Sequence, residues 1–266
     1  MRANGTIGFV PTMGALHQGH LALIKQAALE NPCTVVSIFV NPTQFNNPND
    51  LEAYPRTLDA DVALIKSNIG ENVVVFAPTV SEMYDEKLST EKFNFEGLDQ
   101  QMEGAFRPGH FDGVGTIVSK LFELVKPDRA YFGEKDFQQL QIIRKLVSLK
   151  KMQVEIVGCP IVRTESGLAR SSRNQLLSEE ERNQASIIYR VLNEVKKRFS
   201  GTNIAELKQY VEESFASHTL FRLDYFEITD EATLHPIKEY DKQQNYRAFI
   251  AVYAGDVRLI DNMQLN

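Results

Sequence analysis

The sequence predicts a doubly wound α/β chain with a parallel sheet, followed by a smaller α+β region. Three observations predict it. Up to about residue 160, short apolar runs alternate with segments of helical period, the order expected of βαβ units. The run "TVVSIFV" (34–40) is β-branched and nearly all apolar, as a strand covered on both faces is. Beyond residue 160 the style changes to polar loops, two amphipathic helices and further strand-like runs.

The elements follow in order. "TIGFV" (6–10) is a short strand, and a helix runs from about Gly19 to Leu29. "NPC" is a turn before the 34–40 strand, and "NPTQFNNPND" is a Pro/Asn-rich loop. "TLDADVALIKSN" (57–68) has apolar residues at helical spacing, and "NVVVFAP" (72–78) reads as a third buried strand. A helix over 115–125, a strand over 129–133, a helix over 136–150 and a strand over 153–160 complete the first region. "SEEERNQASIIYRVLNEVKKRF" then opens with a Ser cap and acidic residues and ends in Lys and Arg, matching the helix dipole. "NIAELKQYVEESFAS" is a second helix. The runs 224–229, 246–255 and 256–261 are strand-like, with "AGD" as a hairpin turn. The expected division is therefore a Rossmann-like domain over 1–161 and a smaller α+β domain over 162–266.

Composition limits the function classes. The 266 residues are 43% hydrophobic and 24% charged, enough for a sizeable core. The net charge of −6 gives no global basic footprint, so no nucleic-acid partner is expected. Cys33 and Cys159 are the only cysteines and belong to no metal-ligand cluster, so they read as small hydrophobes in a reducing, cytoplasmic setting. No apolar run approaches the roughly 18 residues needed to cross a bilayer, and the start lacks a signal-peptide apolar region, so no membrane partner is expected.

Several loops carry candidate chemistry. In "PTMGALHQGH" (11–20), Gly14 and Gly19 allow tight turns, and His17 and His20 share one face of the first helical turn. Two imidazoles beside a row of helix N–H groups suit a polyphosphate. A Gly-rich turn with two surface histidines would read the same way. "RTESGLARSSRNQLLS" (163–178) places Ser171, Ser172 and Arg173 in a flexible loop fit for phosphate, or is a polar interdomain linker. In "YFGEKDFQQLQ", Gly133 ends a strand, Lys135 adds a point charge, Asp136 caps a helix or binds ribose hydroxyls, and Gln139 lies about one turn on. Asn41 and Gln44 flank a Pro-stiffened turn, and Arg107 and His110 precede a helix, each also readable as ordinary loop residues. Asp59 and Asp61 lie near a helix start, where acids serve the dipole or hold magnesium.

The blocks "FVPTMGALHQGH", "FVNPTQF", "YPRTLDAD", "FRPGHFDGV", "FGEKDFQQLQIIR" and "GLARSSRNQLL" together resemble the pantothenate synthetase (pantoate–β-alanine ligase) family. They stand in family order over nearly the whole chain, most strongly over 7–180. "HQGH" resembles the HIGH-type signature of the wider adenylyl-transfer superfamily, and "ARSSRN" resembles the family's counterpart of its KMSKS loop. The resemblance implies ATP-dependent joining of pantoate to β-alanine through an enzyme-bound pantoyl adenylate, releasing AMP and pyrophosphate. It implies ATP as a substrate, magnesium as cofactor and a homodimer.

It also implies roles. His17, His20, Lys135 and Arg173 would be catalytic. ATP would be held by these four with the Met13 backbone, Gly133, Asp136, Ser171 and Ser172. Pantoate would be held by Met13, Asn41, Gln44, Tyr54, Arg107, His110 and Gln139. Asp61 matches a position associated with magnesium. A closing lid is expected, with the "SSRN" loop and the hinge to the second domain as candidates. Family members usually carry a further, often helical, segment before the first strand; the intact motifs lead us to expect surviving chemistry with altered packing over that strand.

The enzymatic alternative is a nucleotidylyltransferase moving AMP to a phosphate ester. It would need a basic acceptor site where Gln44 and Gln139 stand. A nucleotide sensor without catalysis is the non-enzymatic alternative, and the joint presence of His17, His20, Lys135 and Arg173 argues against it.

Overall fold

The computed structural model describes residues 5–46, 48–70, 72–84 and 88–266. These form two compact units. The first runs to Glu134 and resumes over Gln138–Pro160; the second takes Lys135–Phe137 and Ile161–Asn266.

In the first unit the strands are β1 (Ile7–Thr12), β2 (Cys33–Ile38), β3 (Val73–Phe76), β4 (Arg129–Gly133) and β5 (Glu155–Cys159), paired in the order β3-β2-β1-β4-β5. Every pairing is parallel. The helices are α1 (Gln18–Glu30), α2 (Pro48–Ala53), α3 (Leu58–Ile69), α4 (Val80–Met83), α5 (Met102–Phe106), α6 (His110–Val125) and α7 (Phe137–Leu149, whose first residue belongs to the second unit). The doubly wound reading therefore holds. Val10 and Val36, opposite one another in β1 and β2, pack with Leu16, Ile24, Ala27 and Ile65 in one apolar layer. Chain order places β2 and β3 on one side of β1, and β4 and β5 on the other. This reversal between β1 and β4 is the switch point beyond which open α/β sheets bind ligands.

The second unit carries α8 (Glu179–Gln184), α9 (Ser186–Arg198), α10 (Ile204–Ala216) and an antiparallel sheet of β6 (Phe221–Asp230), β7 (Tyr246–Ala254) and β8 (Val257–Gln264). β7 and β8 join through Gly255 and Asp256, the expected hairpin turn. Leu192, Val195, Leu207, Val211, Ile228 and Ile250 sit in its core. Ser178 caps α8 as expected: its hydroxyl accepts from Glu181 N, and the Glu181 carboxylate accepts from Ser178 N.

Four expectations are corrected. The 41–50 segment is not all loop, because Asn41 caps a 3-10 turn over Pro42–Gln44 and α2 begins at Pro48. α6 begins at His110 rather than near residue 115, since left-handed Gly109 ends the preceding turn. The predicted single helix after Ser178 is divided at Ala185 into α8 and α9. β3 is a sheet edge rather than a buried strand, and Val74 on it is 44% exposed. Cys33 and Cys159 are both free thiols, Cys159 being buried with its pKa pushed up to about 12, chiefly by desolvation.

One close approach matters for the site. A Cβ on Gly113 of α6 would lie 2.5 Å from Thr43 O and 3.0 Å from Gln44 Cα. Glycine alone lets α6 press against the 42–44 turn. Gly113→Ala is expected to destabilise the fold by about 1–3 kcal/mol through overpacking. Gly201→Ala, whose Cβ would meet only Arg198 O at 4.0 Å, is the control. Thermal unfolding that fails to separate the two variants would refute this packing account.

Candidate active site

The β1–α1 connection is built around one buried carboxylate. Thr12 Oγ1 donates to Ser37 O and accepts from Gly14 N, which fixes the strand end. Gly14 (φ +82°) and Ala15 (φ +49°) then reverse the chain through the left-handed region. Such a turn gathers N–H groups into an anion-binding concavity. Here Asp61, 3% exposed on α3, fills it: Oδ2 accepts from Ala15 N at 3.0 Å and Oδ1 from Leu16 N at 2.7 Å. Thr57 Oγ1 donates to the same Oδ2.

The next residues are capped by imidazoles. His17 is the N-cap of α1, and its Nδ1 accepts from Gly19 N at 3.1 Å. His20 Nδ1 accepts from His17 N at 3.3 Å, completing a reciprocal capping box. The ring centroids lie 4.1 Å apart. An Nδ1 that accepts from an amide carries no proton. Each neutral imidazole is therefore the Nε2–H tautomer, a donor at its outer nitrogen. This corrects the expected row of open helix N–H groups: Asp61 and the two rings engage most of the amides between residues 15 and 20.

Both Asp61 oxygens are engaged by backbone amides inside the fold, so the carboxylate anchors the loop. Among the described residues no three His, Cys, Asp or Glu side chains converge as a metal site.

A second cluster follows β2. Asn41 Oδ1 accepts from Tyr84 OH (2.6 Å), Thr43 Oγ1 and Thr43 N, while its Nδ2 donates to Gly113 O and Gln44 Oε1. Gln44 Nε2 donates to Met13 Sδ at 2.8 Å. Gln44 O accepts from Arg107 and, at 2.8 Å, from His110 Nδ1. Because a carbonyl only accepts, His110 holds its proton on Nδ1, the opposite tautomer to His17 and His20. Tyr54 is buried, edge-on to Phe45 at 5.6 Å. Met13, Asn41, Gln44, Arg107 and His110 are thus brought together around Gln44. Gln139 is half-buried on α7. Its neighbour Gln138 is buried in three backbone hydrogen bonds, with Leu98 O, Gln101 O and Glu103 N.

In the second unit, Lys135 and Asp136 occupy a 3-10 turn after Gly133, the last residue of β4, and Lys135 Nζ lies 3.6 Å from Asp136 Oδ1. Lys135 O accepts from Asn262 Nδ2 at 2.8 Å. Arg163 grips Asp261 with both terminal nitrogens, at 2.6 and 3.0 Å, and donates to Gly167 O and Asn262 O. Arg247 donates to Asn262 Oδ1 and lies 3.8 Å from the Phe137 ring centre. The "SSRN" segment is neither linker nor open loop. Ser171 Oγ caps a 3-10 turn over Ser172–Leu176 by accepting from Arg173 N, and Asn174 Oδ1 accepts from Ser171 N. Sequence reasoning missed the parts played by Tyr84, Asn262, Arg163 and Asp261.

The first unit alone is an α/β domain with an imidazole pair at its sheet switch point, a place where such sheets bind ligands. Comparison with known proteins narrows the class. The family model described as pantoate-beta-alanine ligase matches residues 1–264. A pantothenate synthetase of Flavobacterium psychrophilum is 55% identical over 98% of this chain and 92% of its own length. One from Bacteroides fragilis is 53% identical over 99% and 93%. The crystal structure of the Thermus thermophilus protein superposes with a TM-score of 0.90 at 45% identity, covering 98% of this chain and 93% of that one. A Francisella tularensis ligase, determined in complex with beta-gamma ATP and beta-alanine, superposes with a TM-score of 0.80 at 39% identity, covering 98% and 90%. The chain belongs to the pantoate-beta-alanine ligase family. No helix among the described residues is long and apolar enough to cross a membrane.

Asp61→Asn replaces one accepting oxygen with a donor that faces an amide. It is expected to cost about 1–3 kcal/mol, lowering Tm by roughly 2–4 °C per kcal/mol. An unchanged Tm would show that the carboxylate does not hold the loop.

Proposed function

We propose that this chain joins pantoate to β-alanine at the expense of ATP, releasing AMP, pyrophosphate and pantothenate, by way of a pantoyl adenylate. The observation that carries the reading is the Nδ1-anchored imidazole pair at the switch point, in a chain that belongs along its whole length to the ligase family.

The residues suit the chemistry. A pantoate carboxylate oxygen attacks the α-phosphorus, and the bond from that phosphorus to the β-phosphate bridging oxygen breaks. Negative charge moves onto pyrophosphate, so fixed donors supply most of what is needed. His17 and His20 donate from Nε2 to the phosphates. Lys135 adds a full positive charge, and Ser171, Ser172 and Arg173 hold the β- and γ-phosphates. Gly133 and Asp136 take the ribose, and the Met13 backbone lies against the nucleotide. Gln44 and Gln139 hold pantoate, within a pocket shaped by Asn41, Tyr54, Arg107 and His110. The β-alanine amine then attacks the acyl carbon, the acyl–phosphate C–O bond breaks, and AMP leaves as the amine gives up a proton. Magnesium arrives with ATP as part of the substrate. The expected setting is the cytoplasm, and the expected assembly a homodimer. Residues 1–161 form the nucleotide- and pantoate-binding domain and 162–266 the smaller domain that excludes water from the adenylate.

Pyrophosphate release from ATP, measured with pantoate and with or without β-alanine, tests the reading. It should become catalytic only when β-alanine is added, with pantothenate formed. No pantoate-dependent release overturns it. Lys135→Ala should lose about 3–4 kcal/mol of adenylation barrier stabilisation, a 10²–10³-fold slower first step. A rate near wild type would remove Lys135 from the mechanism.

A further inference from the structure

Gln44 sits in a chain of amides whose polarity can be worked out link by link. Gly113 O can only accept, and Thr43 N can only donate. These two neighbours fix Asn41 with Nδ2 toward Gly113 and Oδ1 toward Thr43. Asn41 Nδ2 also reaches Gln44 at 3.2 Å, so the atom it meets must be the carbonyl Oε1. Gln44 therefore turns its NH2 group the other way, where the structure gives it the thioether of Met13 at 2.8 Å. A thioether is a weak acceptor, and an oxygen would serve that NH2 group better.

The tightest bond in this hydrogen-bond chain is made by a residue that is not itself among the expected substrate contacts. Tyr84, 3% exposed, donates to Asn41 Oδ1 at 2.6 Å. Thr43 Oγ1 lies 3.0 Å from the same phenol oxygen and completes a closed triangle with Asn41. Lys120 Nζ stands 4.6 Å from the ring centre and donates to Met83 O, so a cation anchored to the neighbouring backbone lies over the ring. Burial raises the phenol's pKa above its ordinary value, so it remains a donor through the neutral range.

We propose that Tyr84 is a positioning residue: through Asn41 it holds the Gln44 amide with its NH2 group outward, so that this subsite selects a ligand oxygen that accepts a hydrogen bond and rejects a donor. The proposal rests on the reading that Gln44 touches pantoate. Pantoate, with a carboxylate and hydroxyl oxygens, is a ligand of the selected kind.

The test is steady-state kinetics of Tyr84→Phe beside the wild type, with pantoate and ATP varied in turn. The phenol bond is worth about fivefold to tenfold in affinity, so the pantoate KM should rise by that factor. The ATP KM should stay within about twofold. A purely structural part for Tyr84 would lower Tm and the active fraction while leaving both KM values alone, and that outcome overturns the proposal. So does an equal rise in both. A wild-type enzyme with no pantoate-dependent pyrophosphate release would instead overturn the functional reading beneath it. Should Tyr84→Phe not fold, Asn41→Asp decides. Its carboxylate would face Gly113 O and Gln44 Oε1, forcing the Gln44 amide to turn over, and the pantoate KM should rise by at least about tenfold. An unchanged pantoate KM in that variant contradicts the amide relay.

Discussion

The bond from the Asp61 carboxylate to the amides of Ala15 and Leu16 is the constraint on which the site depends. A parallel sheet whose strand order reverses between β1 and β4 leaves its most useful position at the carboxyl end of β1. The chain must turn there within a few residues, and the turn concentrates unpaired N–H groups where water is excluded. Left alone, those groups cost several kcal/mol or capture whatever anion is near. Asp61 satisfies them from within, so the loop is formed before any ligand arrives. His17 then starts α1 at one fixed place, and both imidazoles inherit a fixed direction.

The same logic of committed donors and acceptors runs through both units, each taken by itself. His17 and His20 accept at Nδ1, whereas His110 donates from it, so three histidines of one protein hold two opposite tautomers, each set by the backbone group beside it. Asn41 and Gln44 are polarised by Gly113 and Thr43. In the second unit, Asn262 ties the Lys135 backbone to β8, while the Arg163–Asp261 pair fastens the start of the segment that leads to Ser171 and Arg173. Catalysis by fixed charge needs donors that do not reorganise during reaction. A site whose members are hydrogen-bonded on their inner sides meets that need.

The fold was largely legible because it rests on periodicity. "TVVSIFV" announces a covered strand through its β-branched run, and "SEEER" announces a capped helix. The errors fell where tertiary contact overrides local pattern. α6 begins five residues early because Gly109 adopts a left-handed turn and Gly113 packs on a backbone, and neither shows in hydrophobic spacing. β3 reads as buried because Val73, Val74 and Val75 are all apolar, although it lies at the edge. Motif residues such as His17, Lys135 and Arg173 stand out in the sequence because they carry distinctive chemistry in loops. Tyr84, Asn262 and Asp261 do not, since their part is defined only by partners tens of residues away. Asp61 shows the limit most clearly. A lone acid at a helix start fits a dipole role or a metal, and only the fold reveals the two amides that claim it.

The central claim is that backbone amides fix both switch-point histidines as Nε2–H donors. Long-range nitrogen–proton correlation NMR of the imidazole rings, in protein labelled at histidine nitrogen, reads this directly at neutral pH. The account predicts that His17 and His20 both show a protonated Nε2 and a bare Nδ1, while His110 shows the reverse. A protonated Nδ1 on His17 or His20 would contradict it, because the ring could then neither cap α1 nor present its donor outward.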